Sequence, residues 1–339
     1  MARLRSAVRP GLAASPAPVL VAVSGGADSL ALAAALAFEA PRAGVALAAA
    51  TVDHGLQTGS AERARRTAEL LTDLGYADVQ VLPVQVPRDG GPEGAARTAR
   101  YAALAAAGAG GRVALGHTLD DQAETVLLGL GRGSGPRSIA GMQEQRAADG
   151  VTWWRPLLEV PRALTRAACA DQRLPVWDDP WNSDPAYTRA RLRAEALPLL
   201  EDVLGGGVAG ALARTAQQLR EDLDTLDALA GIELGRLAGD DGLPVPGTAA
   251  LPAAVRRRVL RGWLQGAGIG DLRASQLHDV DALLTRWRGQ GPVDLPGARA
   301  VRRASGRLVL GPAAGEAAPP VDDGAAATAA PPTCEEHRP

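Results

Sequence analysis

Six consecutive residues, Ser24-Gly25-Gly26-Ala27-Asp28-Ser29, follow an apolar run at 19–23 and open a helical pattern. The two glycines permit close backbone approach and unusual φ, and the first N–H groups of the helix point outward without partners. A turn of this kind binds phosphate through the backbone and the helix dipole, with no ammonium group required. Ser24 and Ser29 add hydroxyl donors, while Asp28 would repel a bare phosphate, so its presence implies a Mg²⁺ ion bridging carboxylate and phosphates. A second group follows another apolar run: Asp121 and Glu124, three residues apart at a helix start, share one face. That placement suits metal coordination or capture of a cationic substrate, and acids at a helix N-terminus are also favoured by the dipole alone. His54 and His117 end apolar runs beside these groups, and Arg97 is a candidate site cation or a helix-capping residue.

Composition narrows the chemistry. All 36 basic residues counted as Lys or Arg are Arg, and the 339-residue chain contains no Lys. A Walker A loop, a protein kinase strand lysine and a Schiff-base amine are all excluded. The two cysteines, Cys169 and Cys334, form no CxxC and supply neither a thiolate zinc site nor a disulfide framework. No segment has the shape of an export signal or a membrane span, so the expectation is a soluble cytoplasmic protein that meets no membrane.

These residues need a frame. Strand-like runs at 19–23, 46–52, 79–84 and 112–115 alternate with helical patterns at 30–41, 60–74 and 93–107. The alternation predicts an α/β fold, a doubly wound parallel sheet whose ligands sit at the carboxyl ends of the strands. A long amphipathic helix is expected over 208–238, then helices near 253–265 and 273–288, and a small hairpin turned at Ser305-Gly306. The expected organisation is an N-terminal segment at 1–17, a catalytic domain at 18–200, a smaller helix-rich module at 201–312 and a disordered tail at 313–339. Net charge is −2 overall, yet residues 251–312 hold eleven Arg against four acids, a candidate phosphate-backbone footprint that includes Arg256, Arg257 and Arg258.

The Ser24 to Ser29 turn resembles the PP-loop of the ATP pyrophosphatases, a Rossmann-like fold. Further motifs follow in order: Val52-Asp53-His54-Gly55-Leu56, then Glu93-Gly94-Ala95-Ala96-Arg97 with Arg100-Tyr101. Next come Gly116-His117-Thr118-Leu119-Asp120-Asp121-Gln122-Ala123-Glu124-Thr125 and Arg132-Gly133-Ser134-Gly135. Arg155-Pro156-Leu157-Leu158 precedes Asp179-Pro180-Trp181-Asn182, which leads to Arg189, Arg191 and Arg193. As a set they resemble the tRNA(Ile)-lysidine synthetase family over about residues 18–200. One departure is Thr118, where the family often carries a second His.

The resemblance implies an ATP-dependent carbon–nitrogen ligase with ATP and Mg²⁺ as cofactors. Its partners would be a tRNA(Ile) with a CAU anticodon, free L-lysine and, as an option, a second copy in a homodimer. It places ATP on Ser24, Gly25, Gly26, Ala27, Asp28, Ser29, His54 and His117, and the metal on Asp28. Lysine falls to Asp121 and Glu124, catalysis to Asp28, Asp121, Glu124 and Arg97, and tRNA contact to Arg189, Arg191, Arg193 and Arg256 to Arg258. Two other readings share the turn: a PP-loop tRNA 2-thiolation enzyme, which typically needs cysteines to carry sulfur, and a non-catalytic nucleotide-binding RNA module.

Overall fold

Strand and helix alternate as the apolar runs require. The computed structural model describes residues 1–86, 92–133 and 135–313. The chain divides into two compact units, residues 1–223 and from 224 onward. In the first, α1 (Ala2–Ala14) leads to β1 (Val19–Ala22), α2 (Ala27–Glu39), β2 (Leu47–Asp53), α3 (Ser60–Asp73) and β3 (Val79–Pro83). Then come α4 (Pro92–Ala107), β4 (Arg112–Leu115), α5 (Leu119–Arg132), α6 (Pro136–Ile139), β5 (Gln145–Ala148) and β6 (Val151–Trp154). The unit closes with α7 (Arg162–Asp171), α8 (Thr188–Arg191), α9 (Leu197–Val203) and the first half of α10 (Val208–Leu237).

The sheet has six strands in the order β3-β2-β1-β4-β6-β5, parallel except for β5, which pairs antiparallel with β6. Strands buried on both faces need apolar residues at successive positions, and β1 supplies them. Val19 and Val21 pack with Leu30, Leu32 and Leu36, while Leu20 packs on the other face with Leu104 and Val113. Trp153 and Trp154 divide between the same two faces, fixing them as core residues. The strand order reverses between β1 and β4, the crevice where an open α/β sheet takes its ligand.

Residues 1–17 do not stand apart from this unit. Leu4, Val8 and Leu12 of α1 are buried in the core that holds α2. Arg112, at the start of β4, donates to the Gly11, Ser15 and Ala17 carbonyls, satisfying the end of the helix.

The second unit carries α11 (Val245–Ala249), α12 (Ala253–Gly266) and α13 (Ala274–Thr285) around Val259, Leu260, Leu264, Val280 and Leu283. The hairpin, β9 (Arg299–Ala304) with β10 (Arg307–Pro312), turns at Ser305 and Gly306, both at positive φ. It sits inside a four-stranded sheet, β7 (Leu243–Pro244)-β10-β9-β8 (Val293–Leu295), so the module is a helix–sheet sandwich as well as helix-rich. The tail expected at 313–339 lies, apart from Ala313, outside the described residues.

Candidate active site

The turn after β1 is tied by its own hydroxyls. The Ser29 hydroxyl donates to the Gly26 carbonyl at 2.9 Å and accepts from the Ser24 N–H at 3.1 Å, closing the loop over the start of α2. Gly25 takes φ +85°, a left-handed conformation that costs glycine little. The turn after β4 packs directly beneath: a Cβ on Gly116 would lie 2.9 Å from Asp28 and Ser29 backbone atoms. The two motifs therefore touch backbone to backbone, which puts the first turns of α2 and α5 side by side.

Three carboxylates converge there. Asp28 comes from the first turn of α2, and Asp121 and Glu124 from α5, where Glu124 is fully buried. Thr118 caps α5, giving its N–H and its hydroxyl to one Asp121 oxygen, each at 2.8 Å. The position that departs from the family pattern thus has a clear task here. Sequence reasoning missed the group that joins the acids. Arg162, at the start of α7, donates to Asp121 at 2.6 Å, to Asp28 at 3.3 Å and to Glu124 at 3.3 Å. Thr165, one turn on, donates its hydroxyl to the other Asp28 oxygen.

The charges set the titration. Burial pushes the Asp28 carboxyl above its ordinary value, against Thr165 and Arg162, and Asp121 adds to the rise. Burial also opposes ionisation of Asp121, but Arg162 and the Thr118 hydrogen bonds outweigh it and hold that carboxyl below the usual range. Burial pushes the His117 imidazole down to about 3, so the ring is neutral in the working range. Burial and Arg100 lower His54 as well. The Nδ1 atoms of both rings are buried without a hydrogen-bond partner among the described residues.

Two adjoining cavities, of about 430 and 800 Å³, open over this ledge and share Ser24, Gly26, His54, His117, Asp121 and Arg193. Asp28 and Ser29 line the larger; Arg97, Trp181, Tyr187 and Arg189 line the smaller. Arg97 is exposed on α4 and donates to the Tyr101 hydroxyl at 3.2 Å.

The arginines expected to contact RNA separate into different roles. Arg193 lies in a π-helical turn, Leu192–Ala196, a distortion that recurs at functional sites. It reaches Glu124 at 2.9 Å and Asp121 at 3.6 Å, so it joins the acid cluster. Arg191 is exposed and paired with Glu195 at 2.9 Å. In the second unit Arg256 is buried against Asp281 at 2.6 Å and also donates to the Leu251 carbonyl at 2.7 Å. A guanidinium spent on those partners is a structural pair, which corrects the expectation of phosphate contact at Arg256. Arg257 shares Asp281, and Arg258 pairs with Asp227 at 2.8 Å.

Among the described residues no group of three or more His, Cys, Asp or Glu could hold a metal ion as a protein cage. No single described helix is long and apolar enough to cross a membrane.

A doubly wound sheet whose first turn is a lysine-free S-G-G-x-D-S loop, set beside two acids from the turn after β4, defines a PP-loop nucleotide-utilising protein. Residues 2–200 match the PP-loop domain family, and residues 243–309 match the TilS substrate binding domain. The tRNA(Ile)-lysidine synthase of Streptomyces coelicolor is 56% identical over 307 residues, 89% of this chain and 87% of the relative. That of Leifsonia xyli subsp. xyli is 53% identical, covering 90% and 92%. That of Thermobifida fusca is 51% identical, covering 91% and 97%. The chain belongs to the tRNA(Ile)-lysidine synthase family. Among solved structures, the U34-tRNA thiolase NcsA from Methanococcus maripaludis with its 4Fe-4S cluster aligns with a TM-score of 0.52 at 19% identity, over 65% of this chain and 79% of that one. This likeness shows a shared fold.

Proposed function

We propose that this chain, working in the cytoplasm, joins free L-lysine to C2 of the wobble cytidine in a tRNA(Ile) with a CAU anticodon. In the first step the cytidine O2 attacks the α-phosphorus of ATP and the bond to pyrophosphate breaks. In the second the lysine ε-nitrogen attacks C2, the C2–O2 bond breaks and AMP leaves. The observation that carries the reading is the convergence of the Ser24 to Ser29 turn with Asp121 and Glu124, in a chain of this family.

The Ser24 to Ser29 turn would offer the N–H groups at the start of α2 and the Ser24 hydroxyl to phosphate, with the Ser29 hydroxyl bracing the loop through Gly26. Mg²⁺ fits the donors present: it takes oxygen ligands, needs few from protein, and completes its shell with phosphate and water. Asp28 would hold it, and the ion would neutralise negative charge on the phosphates. Asp121 and Glu124 would hold the lysine ammonium and take its proton, since only the free amine, with an ordinary pKa of about 10.4, can attack. Arg162 and Arg193, already on those carboxylates, hold them aimed until the cationic substrate competes for them. His117, neutral at its buried site, offers a ring nitrogen to ligand without adding charge.

Thiolation fits less well. Cys169 is buried, its thiol donates to the Ala27 carbonyl, and burial pushes it up to about 11, which removes the thiolate needed for sulfur chemistry. Cys334 lies outside the described residues.

The test is incorporation of labelled lysine into a tRNA(Ile) transcript with a CAU anticodon, with and without ATP and Mg²⁺. Incorporation that needs both, and disappears when the wobble cytidine is replaced by uridine, is the expected result. Pyrophosphate release without incorporation would reopen the nucleophile, and neither signal would leave only a nucleotide-binding fold.

A further inference from the structure

One residue of the acid-bearing helix has no place in the chemistry above. Gln122 follows Asp121 directly and lies two positions before Glu124, yet it lines neither cavity. It is 7% exposed, and its amide pairs in both directions with one backbone residue. Its oxygen accepts from the Met142 N–H at 2.6 Å, and its nitrogen donates to the Met142 carbonyl at 2.9 Å. The loop is shaped to it: Gly141 takes φ +64°, and a Cβ there would stand 2.7 Å from the Gln122 oxygen. The same Met142 carbonyl accepts from Arg220 of α10 at 3.0 Å, and Arg220 also donates to the Ala140 carbonyl. Thus α5 is moored to loop 140–142, and that loop is moored to α10, the helix by which the chain leaves the first unit three residues later.

Successive helical residues turn by about 100°, so a side chain fixed at position 122 fixes the directions of 121 and 124. A reciprocal amide pair resists both rotation and sliding, and the buried amide has no water to fall back on. We propose that Gln122 and Arg220 are positioning residues: together they hold α5 in the rotation that aims Asp121 into the cavities and sets Glu124 against Arg162 and Arg193, and they make that rotation depend on where α10 lies. The proposal rests on the role given to those two acids in the preceding section.

Gln122→Met keeps the length of the side chain and removes both hydrogen bonds; Arg220→Met removes the tie to α10, and Arg220→Lys restores one charged donor. Each full-length variant is assayed for kcat and for KM toward tRNA and lysine, below its measured melting temperature. A displacement of the acids by about 1 Å predicts a loss of kcat of roughly tenfold to a hundredfold, with KM for tRNA within about twofold. Arg220→Lys should recover part of the loss. Folded variants that keep kcat within about twofold, or an Arg220→Lys no better than Arg220→Met, would overturn the proposal. If Gln122→Met does not fold, the Arg220 pair decides alone. A crystal structure of Arg220→Met judges the claim without turnover, so it stays separable from the lysine reading. Rotation of α5 with loss of the Asp121–Arg162 contact supports it, and an unchanged contact overturns it. Absence of lysine incorporation by the parent chain would instead overturn the functional reading.

Discussion

The guanidinium of Arg162 lies 2.6 Å from Asp121, and the same group reaches Asp28 and Glu124. One cation from α7 thereby joins acids from two strand–helix turns 93 residues apart in sequence, as 121 minus 28 gives. Arg162 is itself raised above its ordinary pKa: burial opposes its charge, and Asp121, Glu124 and Asp28 outweigh that. With Arg193 added, two cations face three carboxylates, leaving the pocket with one uncompensated negative charge. Such a pocket is suited to receive a cation.

Replacing Arg162 by Met should therefore be felt twice. Asp121 is held below its ordinary value, so its ionised form adds stability above the unfolded pKa, and that stability is lost as pH falls through the folded pKa. Without Arg162 the folded pKa rises, and the acid limb of the lysine-incorporation profile should move toward neutral pH. Removing one partner of a buried pair costs roughly 3 kcal/mol, readable by urea unfolding. A variant with an unmoved acid limb and wild-type stability would show that Arg162 is a bystander.

His117 adds a pH dependence of the same sign in a higher pH window. Its folded pKa is pushed down to about 3, so between that value and the unfolded value near 6.5 the unfolded chain binds the extra proton. Stability should fall as pH drops below about 6.5, by roughly 1 kcal/mol per pH unit, before the carboxylates begin to protonate. His117→Gln should flatten that slope between pH 6.5 and 5 in chemical unfolding. Equal slopes in the two proteins would mean that the ring is already charged, or already solvated, in the folded state.

What the sequence made legible was local. The Ser24 to Ser29 turn and the Asp121–Glu124 pair are each contained within one strand–turn–helix or one helical turn, so spacing alone placed them at the ligand edge. Arg162 and Arg193 reach Glu124 across 38 and 69 residues, and nothing in a chain whose basic residues are all Arg marks two of them out. Resemblance grouped Arg189, Arg191 and Arg193 as tRNA contacts, but Arg193, in a π-helical turn, reaches Glu124. Arg256, Arg257 and Arg258 looked equivalent as a run, whereas the helical period of α12 sends the first into the core. The N-terminal helix went unread because Pro10 and Gly11 sit inside it and break the expected pattern.

Gly11 shows how packing overrides propensity. Replacing an interior helical Gly by Ala ordinarily gains up to about 1 kcal/mol. Here the new Cβ would stand 2.3 Å from the Trp154 ring, in the core shared by α1 and α2. Overpacking of that kind costs about 1–3 kcal/mol, so the net effect of Gly11→Ala should be destabilising. Thermal unfolding measures the sign directly, and a raised melting temperature would mean that α1 can lift away from Trp154 at little cost.

Arg256 provides the sharpest separation of stability from binding. It is 11% exposed, paired with Asp281 and bonded to the Leu251 carbonyl, so Arg256→Met leaves a buried carboxylate short of a partner. Burial raises the Asp281 carboxyl, but the hydrogen bond and charge of Arg256 outweigh it and hold that group below its ordinary value; Arg257 adds to the effect. The variant should lose roughly 3 kcal/mol of stability in the second unit. At temperatures where it stays folded, tRNA affinity should be unchanged within about twofold, and so should the dependence of log K on log salt. A lost phosphate contact would instead lower that slope by about one while leaving the melting temperature alone. Filter binding across a salt series, paired with thermal unfolding, distinguishes the two outcomes in a single variant. A stable protein with a shallower salt slope would return Arg256 to the RNA-facing surface.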